Sequence, residues 1–172
     1  LDGSEPTEQH GRLYDPALPP TIDTTTTVRS VALKPGYRPG EVSTHSYIFV
    51  DDVARQPADP AGWPSDWGYD SECKAIVPSD YEMDPRVVDN TLPGYSIREA
   101  LLDVPTVSIA MEPDDFISDA TGIYANSLSR WERKCSMEYI LPTGETGFQH
   151  DCKIEVHGNS SRRPYRMQKH SL

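Results

Sequence analysis

The sequence lacks the signatures of several common enzyme classes. It contains no Gly-x-Ser-x-Gly nucleophile turn, no Walker phosphate loop and no dinucleotide-binding glycine pattern, which are the motifs of many hydrolases, nucleoside triphosphatases and dehydrogenases. It also lacks an apolar run of the roughly 18 residues that a transmembrane helix requires. Hydrophobic residues make up only 36% of the chain, and there are 16 prolines and 11 glycines. The composition therefore predicts a chain rich in turns and loops.

Metal-ligand patterns are also missing. The histidines have no spacing typical of a zinc site, and the three cysteines include no Cys-x-x-Cys pair. The acidic pairs at 51–52 and 114–115 lie outside any EF-hand-like loop, and acids in solvated loops or at helix starts explain them more simply than calcium does. Cys135 and Cys152 lie on neighbouring predicted strands and are the favoured disulfide pair, but buried free thiols explain them equally well.

Basic residues are outnumbered, with 16 Lys and Arg against 27 Asp and Glu and a net charge of −11. Long-range repulsion between such a chain and a phosphate backbone disfavours nucleic-acid binding. The basic residues concentrate near the C-terminal end, where five of them follow residue 152 together with a single acidic residue. A basic run that contains small residues can bind an anion through its backbone N–H groups and its cationic side chains. A solvated terminal strand is the plainer alternative.

The order of residues at that end belongs to a longer pattern. Its pieces, in chain order, are 80–85 (DYEMDP), 105–108 (PTVS), 122–126 (GIYAN), 131–133 (WER), 148–162 (FQHDCKIEVHGNSSR) and 169–172 (KHSL). Together they cover about residues 50–172, and in combination they resemble the N-terminal part of the CotH kinase-like family. The resemblance implies the first β-rich part of the smaller lobe of an atypical protein kinase, a lobe that contacts the nucleotide in that family.

Four residues follow from this resemblance as candidate nucleotide contacts. It implies that Ser160, Ser161, Arg162 and Lys169 lie near the phosphates of ATP, since a cation there offsets charge that phosphoryl transfer redistributes. The alternative is that Arg162 or Lys169 pairs with a carboxylate to order the loop. The acids that would hold magnesium and orient the acceptor belong to a later part of the family pattern. The resemblance therefore implies no catalytic residue, no metal ligand and no turnover for this chain alone, with ATP and magnesium bound only by a longer parent.

The front of the chain resembles a different module. The matching pieces are 2–7 (DGSEPT), 13–14 (LY), 24–29 (TTTTVR), 31–37 (VALKPGY) and 42–49 (VSTHSYIF). In this order and spacing they are similar to the C-terminal domain of chitobiase and β-hexosaminidase, also called the glycoside hydrolase 29D-like domain. That resemblance implies a β-sandwich of the fibronectin or immunoglobulin type, and it implies a secreted or cell-surface location.

We therefore predict a mainly β chain with some α structure (α+β), organised in three parts. Residues 1–50 form the C-terminal part of the sandwich, residues 51–71 a connector rich in Pro and Trp, and residues 72–172 the start of the CotH-like domain. Both modules lack strands that should pair with those present. We expect a fragment of a large bacterial multidomain protein, whose partners are neighbouring domains of the same polypeptide and an extracellular glycan or protein.

The connector leaves a second function open. Trp63, Trp67 and Tyr69 lie within seven residues and can stack on a sugar ring or pack against a neighbouring domain. Packing is the commoner use of such rings and is favoured. The main hypothesis is thus a noncatalytic structural or interaction segment, whose parent is an atypical kinase or a scaffold. The alternative is a carbohydrate-binding accessory module.

Local patterns predict most of the secondary structure. They predict strands over about 21–32, 42–50 and 106–111, helices over about 97–103 and 114–117, and a hairpin of 136–141 with 148–157. A capping box at 96–99 predicts the start of the longer helix. We expect the strand of 106–111 to be buried. We expect the strand of 42–50 to be covered on both faces, with Tyr47 and Phe49 opposite Thr44.

Overall fold

The computed structural model describes residues 3–170 and Leu172. It is mainly β, with 24% strand and 14% helix, which confirms the coarse fold class. The strands are β1 (Thr26–Ser30), β2 (Ser43–Tyr47), β3 (Asp66–Asp70), β4 (Ala75–Pro78), β5 (Thr106–Ala110), β6 (Arg133–Ile140) and β7 (Thr146–Ile154). The helices are α1 (Val50–Ala54), α2 (Pro85–Val88), α3 (Ile97–Asp103), α4 (Pro113–Ile117) and a 3-10 helix over Ser160–Arg162.

The strands form three small antiparallel sheets. They are the β1–β2 hairpin, the β3–β4 hairpin and a three-stranded sheet in the order β5–β6–β7. The β3–β4 hairpin crosses the predicted boundary between connector and second module, because its turn contains residue 71. The predicted connector therefore has a short helix at one end and a paired strand at the other.

Helix α3 and the β6–β7 hairpin begin and end where local chemistry predicts, whereas β1 and β2 are shorter than predicted and α1, α2 and the β3–β4 hairpin were not predicted. The hydroxyl of Ser96 accepts the backbone N–H of Glu99 at 3.3 Å and caps α3, and Pro105 follows its last turn. In the β6–β7 hairpin the backbone N–H of Leu141 donates to the carbonyl of Glu145 at 2.8 Å. Gly144 supplies a φ of +84° in that turn, a conformation that glycine adopts without steric cost.

Two predictions of burial were wrong in part. Strand β5 was expected to be buried, and Ala110 and Met111 at its end are, but Val107 is 53% exposed on a strand that lies at one edge of its sheet. Strand β2 was expected to be covered on both faces, yet Tyr47 and Phe49 are 48% and 40% exposed while Thr44 is buried. The β1–β2 hairpin is a two-stranded ribbon, and its contacts with the three-stranded sheet cover the Thr44 face better than the Tyr47 face.

The irregular front of the chain contributes little packing. Leu13 and Tyr14, which the sandwich prediction places in the packed module, are 93% and 68% exposed and lie outside any strand. Asp2, the first residue of the matching piece 2–7, lies outside the described residues. Within residues 3–170, no helix is long and apolar enough to cross a membrane.

The core lies between the three-stranded sheet and the turns that follow α4. Its buried members are Met111, Ile123, Cys135 and Val156, with Ile109, Phe116, Tyr124, Cys152 and Ile154 packed around them. Gly122 makes this packing possible, because a Cβ atom at its position would lie 2.5 Å from the backbone nitrogen of Ser118. The close approach lets the next residue, Ile123, insert into the core with only 2% of its surface exposed.

Candidate functional site

The candidate nucleotide contacts belong to the C-terminal segment, which we define as residues 157–170. This segment lies across the β3–β4 hairpin and the loop after it. Arg163 pairs with Glu72 at 2.5 Å, and the Gln168 amide donates to the carbonyl of Pro78 at 3.1 Å. The hydroxyl of Tyr165 makes a short hydrogen bond to Glu72. The acidic surface of residues 72–82 therefore receives the basic segment.

Arg162 is the best-buried cation of the segment, with 7% of its surface exposed. Its Nε donates to the carbonyl of Gly158 at 2.7 Å, and its Nη1 donates to the carbonyls of Ser127 and Leu128 at 3.2 and 3.3 Å. The hydroxyl of Ser127 in turn donates to the carbonyl of Arg162 at 2.6 Å. The Arg162 side chain therefore connects the C-terminal segment to the turn that contains Ile123.

The other three candidate residues divide into two places. Ser160 and Ser161 share the 3-10 helix with Arg162, and Ser160 is exposed. Lys169 instead pairs with Asp80 at 3.3 Å and contacts the carbonyl of Glu82. The arrangement agrees with the alternative in which Lys169 pairs with a carboxylate to order the loop. Arg162 also orders the loop, but through carbonyls.

Below the C-terminal segment lies an aromatic cluster. Its members are Trp63, Trp67, Tyr81, Phe116, Tyr124 and His170. Tyr124 is central, with ring centroids 5.1 Å from Trp67, 5.1 Å from Phe116 and 4.8 Å from His170. Its hydroxyl accepts the backbone N–H of His170 at 2.7 Å. The cluster thus joins the predicted connector, α4 and the C-terminal segment.

The three connector aromatics have different environments. Trp67 packs edge to face on Tyr81 and against Tyr124, whereas Trp63 packs on Tyr81 and remains 43% exposed. Tyr69 is 68% exposed on the hairpin. Trp67 therefore packs as the packing alternative predicts, and Trp63 does so in part. Tyr69 does not follow that prediction.

His170 makes the stability of the aromatic cluster depend on pH. Burial disfavours the charged imidazolium and lowers the pKa of His170 below its usual value, and the Ser161 carbonyl near Nδ1 partly opposes this. Since the pKa is lower in the folded state, the unfolded chain binds the proton more readily. Neutral His170 contributes fully to the free energy of unfolding above about pH 6.5. This contribution is lost as the pH falls through the folded-state pKa. We expect the free energy of unfolding in urea to fall between about pH 7 and pH 5.

A variant pair isolates this effect from the titration of the many carboxylates. In His170→Asn the pH slope should be shallower than in the unmodified chain, because asparagine does not titrate. In His157→Asn, at an exposed position, the slope should be unchanged. Equal slopes for the unmodified chain and His170→Asn would contradict the assignment.

A second polar cluster was not anticipated from the sequence. Glu138, on β6, is 2% exposed, and its carboxyl oxygens accept the backbone N–H of Ser46 at 2.7 Å and the hydroxyl of Thr146 at 2.8 Å. The hydroxyls of Ser46 and Ser108 are 2.6 Å apart. We call Glu138, Ser46, Ser108 and Thr146 the Glu138 cluster. It attaches the β1–β2 hairpin to the three-stranded sheet.

One sequence signal could have indicated this cluster. Along β6 the polar residues Ser136 and Glu138 alternate with Cys135, Met137 and Tyr139. Period-two alternation places the polar pair on one face of the strand, and both of its members are buried. A polar face that is buried requires hydrogen-bond partners from another element, and here β2 and β7 supply them.

The acidic pairs have structural partners. Asp52 accepts the backbone N–H of Thr25 at 2.8 Å, and Asp115 pairs with Arg133 at 3.2 Å. Within the described part of the chain, no group of three or more His, Cys, Asp or Glu side chains is arranged to hold a metal ion.

Comparison with protein-family models, curated proteins and solved structures finds no match for this chain. The two resemblances therefore stay predictions. The polar contacts of the Glu138 cluster and of the C-terminal segment join one part of the chain to another. The functional proposal rests on these contacts.

Proposed function

We propose that this chain is a noncatalytic structural segment of a larger secreted or cell-surface protein, in which it joins a sandwich-type accessory module to the start of a CotH kinase-like domain. The observation that carries the proposal is the Glu138 cluster. It fixes the front hairpin to the three-stranded sheet through a buried carboxyl group. A buried polar contact of this kind favours one relative position of the two parts, because each hydrogen bond lost inside the protein is costly.

The C-terminal segment supports the same proposal. Arg162 donates to three backbone carbonyls, and Lys169 pairs with Asp80. Both cations therefore have partners within the chain, and a phosphate would have to compete with them. We propose that Arg162 orders the segment. In a longer parent, exposed Ser160 is the candidate for a phosphate contact, and Lys169 could join it after leaving Asp80.

Calorimetric titration with magnesium-ATP tests this proposal. We expect no measurable binding to the chain itself, and Lys169→Ala should behave identically in a folded sample, as judged by circular dichroism. Saturable binding to the chain that Lys169→Ala abolishes would show that a phosphate displaces Asp80 from Lys169, and would overturn the assignment of the segment to a purely structural role.

A parent polypeptide that continues through the rest of the CotH-like pattern separates the two versions of the proposal. Magnesium-dependent ATP binding by the parent would support an atypical kinase, and its loss in Lys169→Ala would place that residue at the phosphates. No binding by a folded parent would favour a scaffold.

A carbohydrate-binding role is the second candidate, and one observation favours it. Trp63 and Tyr69 remain 43% and 68% exposed, and exposed rings of this kind can cover the apolar face of a sugar. We expect soluble glycans to change the tryptophan fluorescence of the chain if this role is correct, and we expect Tyr69→Ala to weaken the response. Tyr37→Ala is the matched control, since Tyr37 is 69% exposed on another turn. No response across a glycan panel would exclude this role for the glycans tested.

A further inference from the structure

Two thiols face each other across the β6–β7 hairpin. Cys135 and Cys152 are direct partners in the antiparallel register, and their Sγ atoms are 3.4 Å apart as free thiols. Directly opposed residues of antiparallel strands have Cα atoms about 4.5 or 5.5 Å apart. Both separations lie within the range of about 4.4–6.8 Å that a disulfide requires. The backbone is therefore already placed for a bond, and only a small side-chain movement is needed.

The two thiols differ in access to reagents. Cys135 is buried in the core beside Met111, Ile123 and Val156, whereas Cys152 is half-buried. Burial raises the pKa of the Cys135 thiol, and its hydrogen bond with Cys152 raises it further. A dissolved reagent consequently reaches Cys152 first, and Cys135 is protected from direct attack.

We propose that Cys135 and Cys152 form a reversible dithiol–disulfide site whose oxidant is a low-molecular-weight disulfide such as oxidised glutathione. The thiolate of Cys152 attacks one sulfur of the oxidant, which forms a mixed disulfide and releases one small thiol. The thiolate of Cys135 then attacks the Cys152 sulfur, forms the protein disulfide and releases the second small thiol. The protein loses two electrons and two protons, and the oxidant gains both.

The position of the site gives this bond a structural consequence. It would close the β6–β7 hairpin at the end that contacts the core, while the Glu138 cluster lies nearer the hairpin turn on the opposite face of β6. A cross-link that closes a loop restricts the unfolded chain and stabilises the folded one. Oxidation should therefore strengthen the sheet to which the β1–β2 hairpin is attached. This inference does not depend on the proposed function.

The test uses the Cys73→Ser chain, because Cys73 is exposed and would react on its own. After incubation with oxidised glutathione and an acid quench, intact mass spectrometry should show a loss of about 2 Da, and peptide mapping should join Cys135 to Cys152. The melting temperature should rise by roughly 5 °C and return to its starting value after dithiothreitol.

The Cys73→Ser/Cys135→Ser chain is the control for the order of steps. It should stop at a stable adduct on Cys152, about 305 Da heavier, because no second thiol resolves the mixed disulfide. The proposal is overturned if Cys73→Ser also stops at a glutathione adduct, or stays unmodified while the urea-unfolded chain is oxidised under the same conditions.

Discussion

Replacing Arg162 with alanine should lower the free energy of unfolding by about 3 kcal/mol. The guanidinium is buried and donates to the carbonyls of Gly158, Ser127 and Leu128. Removing it leaves these carbonyls without their charged donor, and it removes the side chain that joins the C-terminal segment to the 123–128 turn. Urea denaturation should show this loss of free energy of unfolding. Hydrogen exchange should become faster at the amides of Arg163 and His170, which donate to the Ser160 carbonyl and the Tyr124 hydroxyl.

Two further substitutions separate the hydrogen bonds from the charge. Arg162→Lys keeps the charge but not the planar fork of donors, so it should recover only a minor part of the loss. Arg38→Ala removes an exposed arginine and should change the free energy of unfolding by less than about 0.5 kcal/mol. If Arg162→Ala were as mild as Arg38→Ala, then the carbonyl contacts would not stabilise the segment. If Arg162→Lys restored full stability, charge alone would explain the role of this residue.

The parts of the fold that the sequence predicts are those specified by neighbouring residues. The cap at Ser96 directly precedes α3, and Pro105 follows the last residue of the helix by two positions. The β6–β7 hairpin depends on alternation and on one turn that contains Gly144. In each case the interactions that decide the structure lie within about one turn or one hairpin, where propensity and pattern are informative.

The functional contacts are of a different kind. Arg162 bonds to residues 34 and 35 positions away, and Glu138 bonds to Ser46 across 92 positions. A local pattern gives no register for such distant segments, so the sequence could offer Arg162 as a phosphate contact or as a residue that orders the loop, but it could not identify the carbonyls that Arg162 contacts. Glu138 received no role, although the polar face of β6 was visible. The burial of β2 and β5 was misjudged for the same reason, since whether a strand is at an edge depends on which distant strands pair with it.

Replacing Glu138 with alanine should lower the free energy of unfolding by about 3 kcal/mol and loosen the β1–β2 hairpin from the sheet. The substitution leaves the Ser46 N–H and the Thr146 hydroxyl without their acceptor, and it empties a site that is 2% exposed. An unpaired donor inside the protein costs about 1–3 kcal/mol. The half-buried Ser46 N–H carries most of this cost, because the exposed Thr146 can turn its hydroxyl to water, and the vacated volume adds to the cost. Urea denaturation measures the total, and hydrogen exchange locates it.

The exchange pattern decides whether Glu138 couples the two parts of the chain or only fills the interior of the sheet. If it couples them, Glu138→Ala should accelerate exchange at the amides that pair β1 with β2 more than at the amides that pair β6 with β7. Glu138→Gln keeps one oxygen acceptor and nearly the same volume, so it should lose about half as much stability. Glu145→Ala, at the exposed hairpin turn, should be nearly neutral. Uniform acceleration across both hairpins in Glu138→Ala would mean that they unfold as one unit, and that the proposed attachment is not a separable contact. Selective release of β1–β2 would instead identify one buried carboxyl group as the link between the front of the chain and the sheet.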